Sequence, residues 1–184
     1  MKRRILFIFC LNFIYYLTML LSDQKINAES VRYYEIKATK AYENGDFNKS
    51  IFYFSQAIQI DPQAANAYAG RCGMKINIGE YQQALDDCQR ALLISLNDKD
   101  IDLNKSILFA NMCGAKLNVG DIYESISDCD EAIKLDPRGK LAFYNRSIAK
   151  EKIGDIKGAC IDARSAKKFG YKNRSNDYWI KENC

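Results

Sequence analysis

The sequence predicts an all-α fold, a stack of antiparallel helix pairs, and two observations carry that prediction. The first is a recurring turn: Gly45, Gly79, Gly120 and Gly154 are each followed by an acidic residue (Asp46, Glu80, Asp121, Asp155) and then by an aromatic residue or isoleucine (Phe47, Tyr81, Ile122, Ile156). The second is the spacing around it. Eleven residues before each glycine stands Tyr34, Tyr68, Phe109 or Phe143, and twelve after it comes Ala57, Ala91, Ala132 or Ala166. A self-similar unit of this length reads as a repeat architecture, in which each unit buries its apolar face by stacking on the next.

Residues 1–28 stand apart from the repeats. Lys2, Arg3 and Arg4 precede an apolar run from Ile5 to Leu21, and Ser22, Asp23, Gln24 and Lys25 return the chain to water. This reads as a targeting segment, either a signal peptide cleaved between Ala28 and Glu29 or an uncleaved membrane anchor with its basic end in the cytoplasm. The run's length of 17 residues falls between the lengths typical of the two. Cys10 follows bulky Phe9 inside that run and reads as an ordinary apolar position, not a lipidation site.

With the glycine counted as the fifteenth residue, the units run over 31–64, 65–98, 106–139 and 140–171, with an insertion at 99–105. The eighth place holds Ala38, Cys72, Cys113 and Ser147, and the twentieth holds Ser50, Ala84, Ser125 and Ala159. Small side chains facing each other let two antiparallel helices approach closely. Asp61-Pro62 and Asp136-Pro137 close the first and third units, because proline cannot continue the helix. The insertion lacks glycine and proline and is expected to extend the first helix of the third unit by one to two turns. The tail, 172–184, is expected to cover the last helix.

These residues resemble the tetratricopeptide repeat family over 31 to about 171, with its period of 34 and its small residues at the eighth, twentieth and twenty-seventh places. Leu96 and Tyr171 depart from the family's proline at the thirty-second place. The resemblance implies a right-handed superhelical stack whose first helices line a concave groove. It also implies a protein or peptide segment as partner.

Carried over place by place, the groove-lining residues include Arg32, Glu35, Thr39 and Tyr42 of unit one and Asn66 and Asn77 of unit two. Asn111 and Asn118 come from unit three, and Tyr144 and Asn145 from unit four. Some chaperone-binding members hold a C-terminal carboxylate with a clamp of lysine and arginine. Here Glu35 and Thr39 stand where its first Lys and Asn would be, so the expected partner is an extended or helical segment, not an acidic C-terminus.

The cysteines beyond the targeting segment follow the repeat. Cys72 and Cys88 hold the eighth and twenty-fourth places of unit two, and Cys113 and Cys129 hold the same places of unit three. Antiparallel pairing sets those places nearly level across a helix pair, the geometry a disulfide needs. Bonds between Cys72 and Cys88, between Cys113 and Cys129 and between Cys160 and Cys184 would suit an exported protein in a periplasmic or equivalent oxidising space. The alternative is small buried apolar residues copied with the repeat. Lys75, Lys116 and Lys150 at the eleventh place recur with Asp87, Asp128 and Asp162 at the twenty-third, and a pair repeated once per unit reads as architecture.

Composition narrows the function. Of the formal charge of +4, most lies in the first 28 residues, where Lys2, Arg3, Arg4 and Lys25 face only Asp23, so the repeats are nearly neutral. That argues against nucleic acid as a partner. The chain has no histidine, which removes the commonest general base and zinc's usual nitrogen ligand. The expectation is a non-enzymatic interaction scaffold or assembly factor without cofactor, metal or small-molecule substrate, touching a membrane only through its N-terminal segment. The alternative is a structural accessory subunit of a membrane-associated complex, contacted through the ends of the stack.

Overall fold

The computed structural model describes residues 25–98 and 103–184, all of whose regular structure is helical. Helix α1 covers residues 25–43 and is followed by α2 (Phe47–Ile60), α3 (Ala65–Asn77), α4 (Tyr81–Asn97), α5 (Lys105–Val119), α6 (Ile122–Leu135), α7 (Lys140–Lys152), α8 (Ile156–Lys168) and α9 (Arg174–Asn183). The signal or anchor segment up to residue 24 lies outside the described residues. Among the described residues no helix is long and apolar enough to cross a membrane.

Local chemistry sets the helix ends. Gly45, Gly79, Gly120 and Gly154 adopt φ of 76°, 83°, 98° and 83° at the turn inside each pair, a region that side chains with a Cβ resist. The acidic residue that follows is the N-cap: the Asp46 carboxylate accepts the Lys49 backbone N–H at 3.0 Å, and Asp155 accepts that of Gly158 at 2.9 Å. At the far end, Asp61 and Asp136 are extended C-caps preceding Pro62 and Pro137, as the residue before proline prefers. Their carboxylates accept the backbone N–H of Gln63 and Arg138 and so shape the link to the next pair.

The small residues at the eighth and twentieth places are buried in every pair, and so are the alanines at the twenty-seventh. They form the seam of each pair. Successive pairs then join through α2 on α3, α4 on α5 and α6 on α7. The first helices also touch one another, α3 on α5 and α5 on α7, and this row forms one face of the stack.

The insertion departs from expectation where it is described. Leu103 and Asn104 are not helical, and α5 starts at Lys105 because the Asn104 side chain accepts the Ile107 backbone N–H at 3.2 Å and caps it there. Residues 99–102 lie outside the described residues. The added helix is on the other side: α4 has 17 residues against 14 in α2 and α6, since Leu96 replaces the proline that would have stopped it. The tail folds as α9 and packs on α8, held by Lys167–Asp177 at 2.9 Å and by the Trp179 indole N–H donating to Glu151 at 2.7 Å.

Candidate functional site

The row of first helices encloses a groove of about 520 Å³. Tyr42 of α1 stands at one end, Asn66, Ala69, Gly73, Ile76 and Asn77 of α3 and Ile107 and Asn111 of α5 form the floor, and Leu141 of α7 closes it. No residue lining this groove carries a charge. Ile107 is 56% exposed and Tyr42 49%, so apolar surface remains open to solvent at its centre and its end.

The amides in this region do different work. Asn77 and Asn118, both at the thirteenth place, donate to the carbonyls of Gly73 and Gly114 in their own helices, at 2.9 and 2.8 Å. Asn111 lies against Gly73, where an added Cβ would stand 3.4 Å from its amide nitrogen. Asn145 lies against Gly114 in the same way, with a Cβ only 2.9 Å away, and donates to the Ala110 carbonyl at 3.3 Å. Asn145 is buried, so it stitches α7 to α5 and does not present itself to a ligand.

The remaining groove candidates spread toward the ends. Arg32 and Glu35 line a second hollow with Asn66, between α1 and the start of α3, and burial raises the Glu35 carboxyl above its ordinary pKa. Thr39 donates to the Glu35 carbonyl at 3.0 Å. Tyr144 stacks on Tyr171 with ring centroids 4.1 Å apart and faces a small hollow shared with Trp179 of α9. Sequence reasoning missed Leu103, Asn104 and Leu141 as groove walls. The first two belong to the insertion, which has no place in the repeat pattern.

Residues 29–64 match the tetratricopeptide repeat family, and the stack resembles the solved tetratricopeptide-repeat domain of Arabidopsis OM64, with a TM-score of 0.58 at 22% identity over 70% of this chain and 98% of that one. The chain has the fold of a tetratricopeptide-repeat solenoid. Its sequence is 30% identical over 73 residues to the mitochondrial outer envelope protein 64 of Arabidopsis thaliana, a stretch covering 40% of this chain and 12% of that protein. The second tetratricopeptide-repeat domain of human RPAP3, solved in complex with the HSP70 peptide SGPTIEEVD, shares the fold with a TM-score of 0.56 at 23% identity, over 68% of this chain and 97% of that one.

The recurrent charges of this solenoid close the helix pairs. Arg71 donates to both carboxylate oxygens of Asp87, at 2.8 and 2.6 Å, and Lys75 adds a contact at 2.8 Å. Arg146 and Lys150 hold Asp162 in the same way. In the third pair Met112 replaces the arginine, and among the described residues the one ion pair of Asp128 is with Lys116, at 2.8 Å. Burial there raises the Asp128 carboxyl above its ordinary pKa, an effect that Lys116 offsets only in part. These rungs lie between the helices of a pair, where a half-buried ion pair sets register.

The repeat also brings cysteines together. Cys72 and Cys88 join α3 to α4 with Cα atoms 5.4 Å apart, and Cys113 and Cys129 join α5 to α6 at 5.3 Å. Cys160 of α8 meets the terminal Cys184 at 5.6 Å. All three are at disulfide distance.

Proposed function

We propose that this protein is a non-enzymatic interaction scaffold that holds an extended, uncharged segment of a partner protein in its concave groove. One observation carries this reading: a groove of about 520 Å³ lined by apolar, amide and tyrosine side chains without a charge. Ile76, Ile107 and Leu141 suit apolar side chains, while Asn66 can both donate to and accept from a peptide backbone and Asn104, whose oxygen caps α5, can donate through its amide nitrogen. An acidic peptide like the SGPTIEEVD segment bound by RPAP3 finds no cation in this groove.

Peptides from a library, their binding read by fluorescence anisotropy, test the assignment. Ile107→Glu places a charge at the groove's centre and is expected to weaken bound peptides at least tenfold, whereas Ile161→Glu on α8 leaves them unchanged. Equal affinity of both variants would remove the groove from the function.

A second reading is supported by Tyr33, Ile36 and Phe52, which stay exposed on the first pair. In that case the chain is an accessory subunit contacted through its ends, and Ile36→Lys and Phe52→Lys, not Ile107→Glu, abolish capture of the native partner. The paired cysteines support an oxidising space as its location, reached through the N-terminal segment by export or anchoring.

A further inference from the structure

The first helix pair lacks the charged rung that closes the other three, and a cation-lined cavity replaces it. Its twenty-third place holds Tyr53 where the later units have Asp87, Asp128 and Asp162, and its eleventh holds Ala41 in place of lysine. Three lysines surround this vacancy in the pattern, one matching Arg71 and Arg146 of the later rungs and two peculiar to this unit. Lys37 is at the seventh place; Lys40 is at the tenth, where the other units have Met74, Ala115 and Ala149; and Lys49 is at the nineteenth, where they have Gln83, Glu124 and Gly158.

Lys37, Lys40 and Lys49 line one cavity of about 210 Å³ together with Asn44, Asp46 and Tyr53. Among the described residues no carboxylate forms an ion pair with any of the three. The single acid present, Asp46, is engaged as the cap of α2 through the Lys49 backbone N–H. Lys37 rests over the Tyr33 ring at 4.5 Å and the Tyr53 ring at 5.5 Å, which fixes its ammonium beside the cavity.

We propose that this cavity binds a phosphate group, held by Lys37, Lys40 and Lys49 where the other pairs hold their own aspartate. Three ammonium groups around one acid leave a net positive site, and the Tyr53 hydroxyl and Asn44 amide supply neutral donors at its edge. None of these side chains lines the concave groove, so a partner segment and the anion can be bound together. The phosphate can be free or belong to a lipid headgroup.

The test is hydrogen exchange across residues 37–53 of the full chain in a neutral detergent, with inorganic phosphate or dihexanoyl phosphatidic acid added at matched ionic strength. The expected result is saturable protection of this stretch, with the apparent affinity lowered about tenfold in Lys37→Gln/Lys49→Gln and unchanged in the distant Lys157→Gln. Protection by the lipid at lower concentration than by inorganic phosphate identifies a headgroup as the source; equal concentrations identify free phosphate. No protection by either probe, or the same protection in the double variant, overturns the assignment. The unliganded unfolding temperature of the double variant serves as its folding control.

Discussion

Asp87, Asp128 and Asp162 occupy one place in three units, yet their surroundings make them unequal. Asp162 is 1% exposed and receives both Arg146 and Lys150, so Asp162→Asn leaves Lys150 half-buried without a counter-charge and Arg146 with Asp130 alone. A loss of about 2–4 kcal/mol is expected, read from urea unfolding. Asp128 lacks the arginine, and Asp128→Asn is expected to cost less than about 1 kcal/mol. The pH dependence separates them further. Because the folded-state pKa of Asp128 lies above its unfolded value, its contribution to stability is fully present at acid pH and is lost as pH rises through the raised value. The stability difference between the native chain and Asp128→Asn therefore moves in favour of the variant as pH rises across that window. A difference independent of pH would contradict the burial argument. The pairing of lysine with aspartate was readable from their joint recurrence, but the weakness of the third rung required seeing what Met112 leaves unfilled.

At the scale of helices, two glycines three residues apart in α3 make opposite predictions. An added Cβ at Gly70 would stand 2.3 Å from the buried Phe54 ring, so Gly70→Ala forces apart α2 and α3 and is expected to destabilise by about 1–3 kcal/mol. At Gly73 the nearest neighbour is the Asn111 amide at 3.4 Å, an adjustable contact, and Gly73→Ala should gain about 0.5–1 kcal/mol from helix propensity alone. Thermal unfolding of the two variants on either side of the parent decides the matter. Neither glycine belongs to the turn that marks the repeat, and a sequence carries no sign of which side chain from another helix leans on a helical glycine. The same limit applied to the insertion: the missing proline at Leu96 was visible, but its effect fell on α4 and not on α5. Asn104, as an N-cap, had already set the start of α5.

For the whole molecule, the cysteine pairs tie α3 to α4, α5 to α6 and α8 to the end of the tail, so every part of the stack beyond the first unit contains a crosslink. With sequence separations of 16, 16 and 24 residues, each bond formed is expected to contribute about 2–3 kcal/mol, chiefly by restricting the unfolded chain. Mass determination of the native protein after thiol labelling without reductant should find none of these six cysteines labelled, and reductant should lower the unfolding temperature. Labelled thiols would make them core filler. The sequence by itself determined the helix pairs, their turns and their small-residue seams, because those depend on residues a fixed distance apart along one chain and recur in every unit. It also brought out the level positions of Cys72 with Cys88 and of Cys113 with Cys129, for the same reason. Only the tertiary structure decided that Asn145 is a stitch and not a ligand contact, that insertion residues wall the groove, and that three lysines of the first unit share a cavity. Each of those facts depends on packing between units or on a place where the repeat is broken, and there the distance along the chain no longer specifies the distance in space.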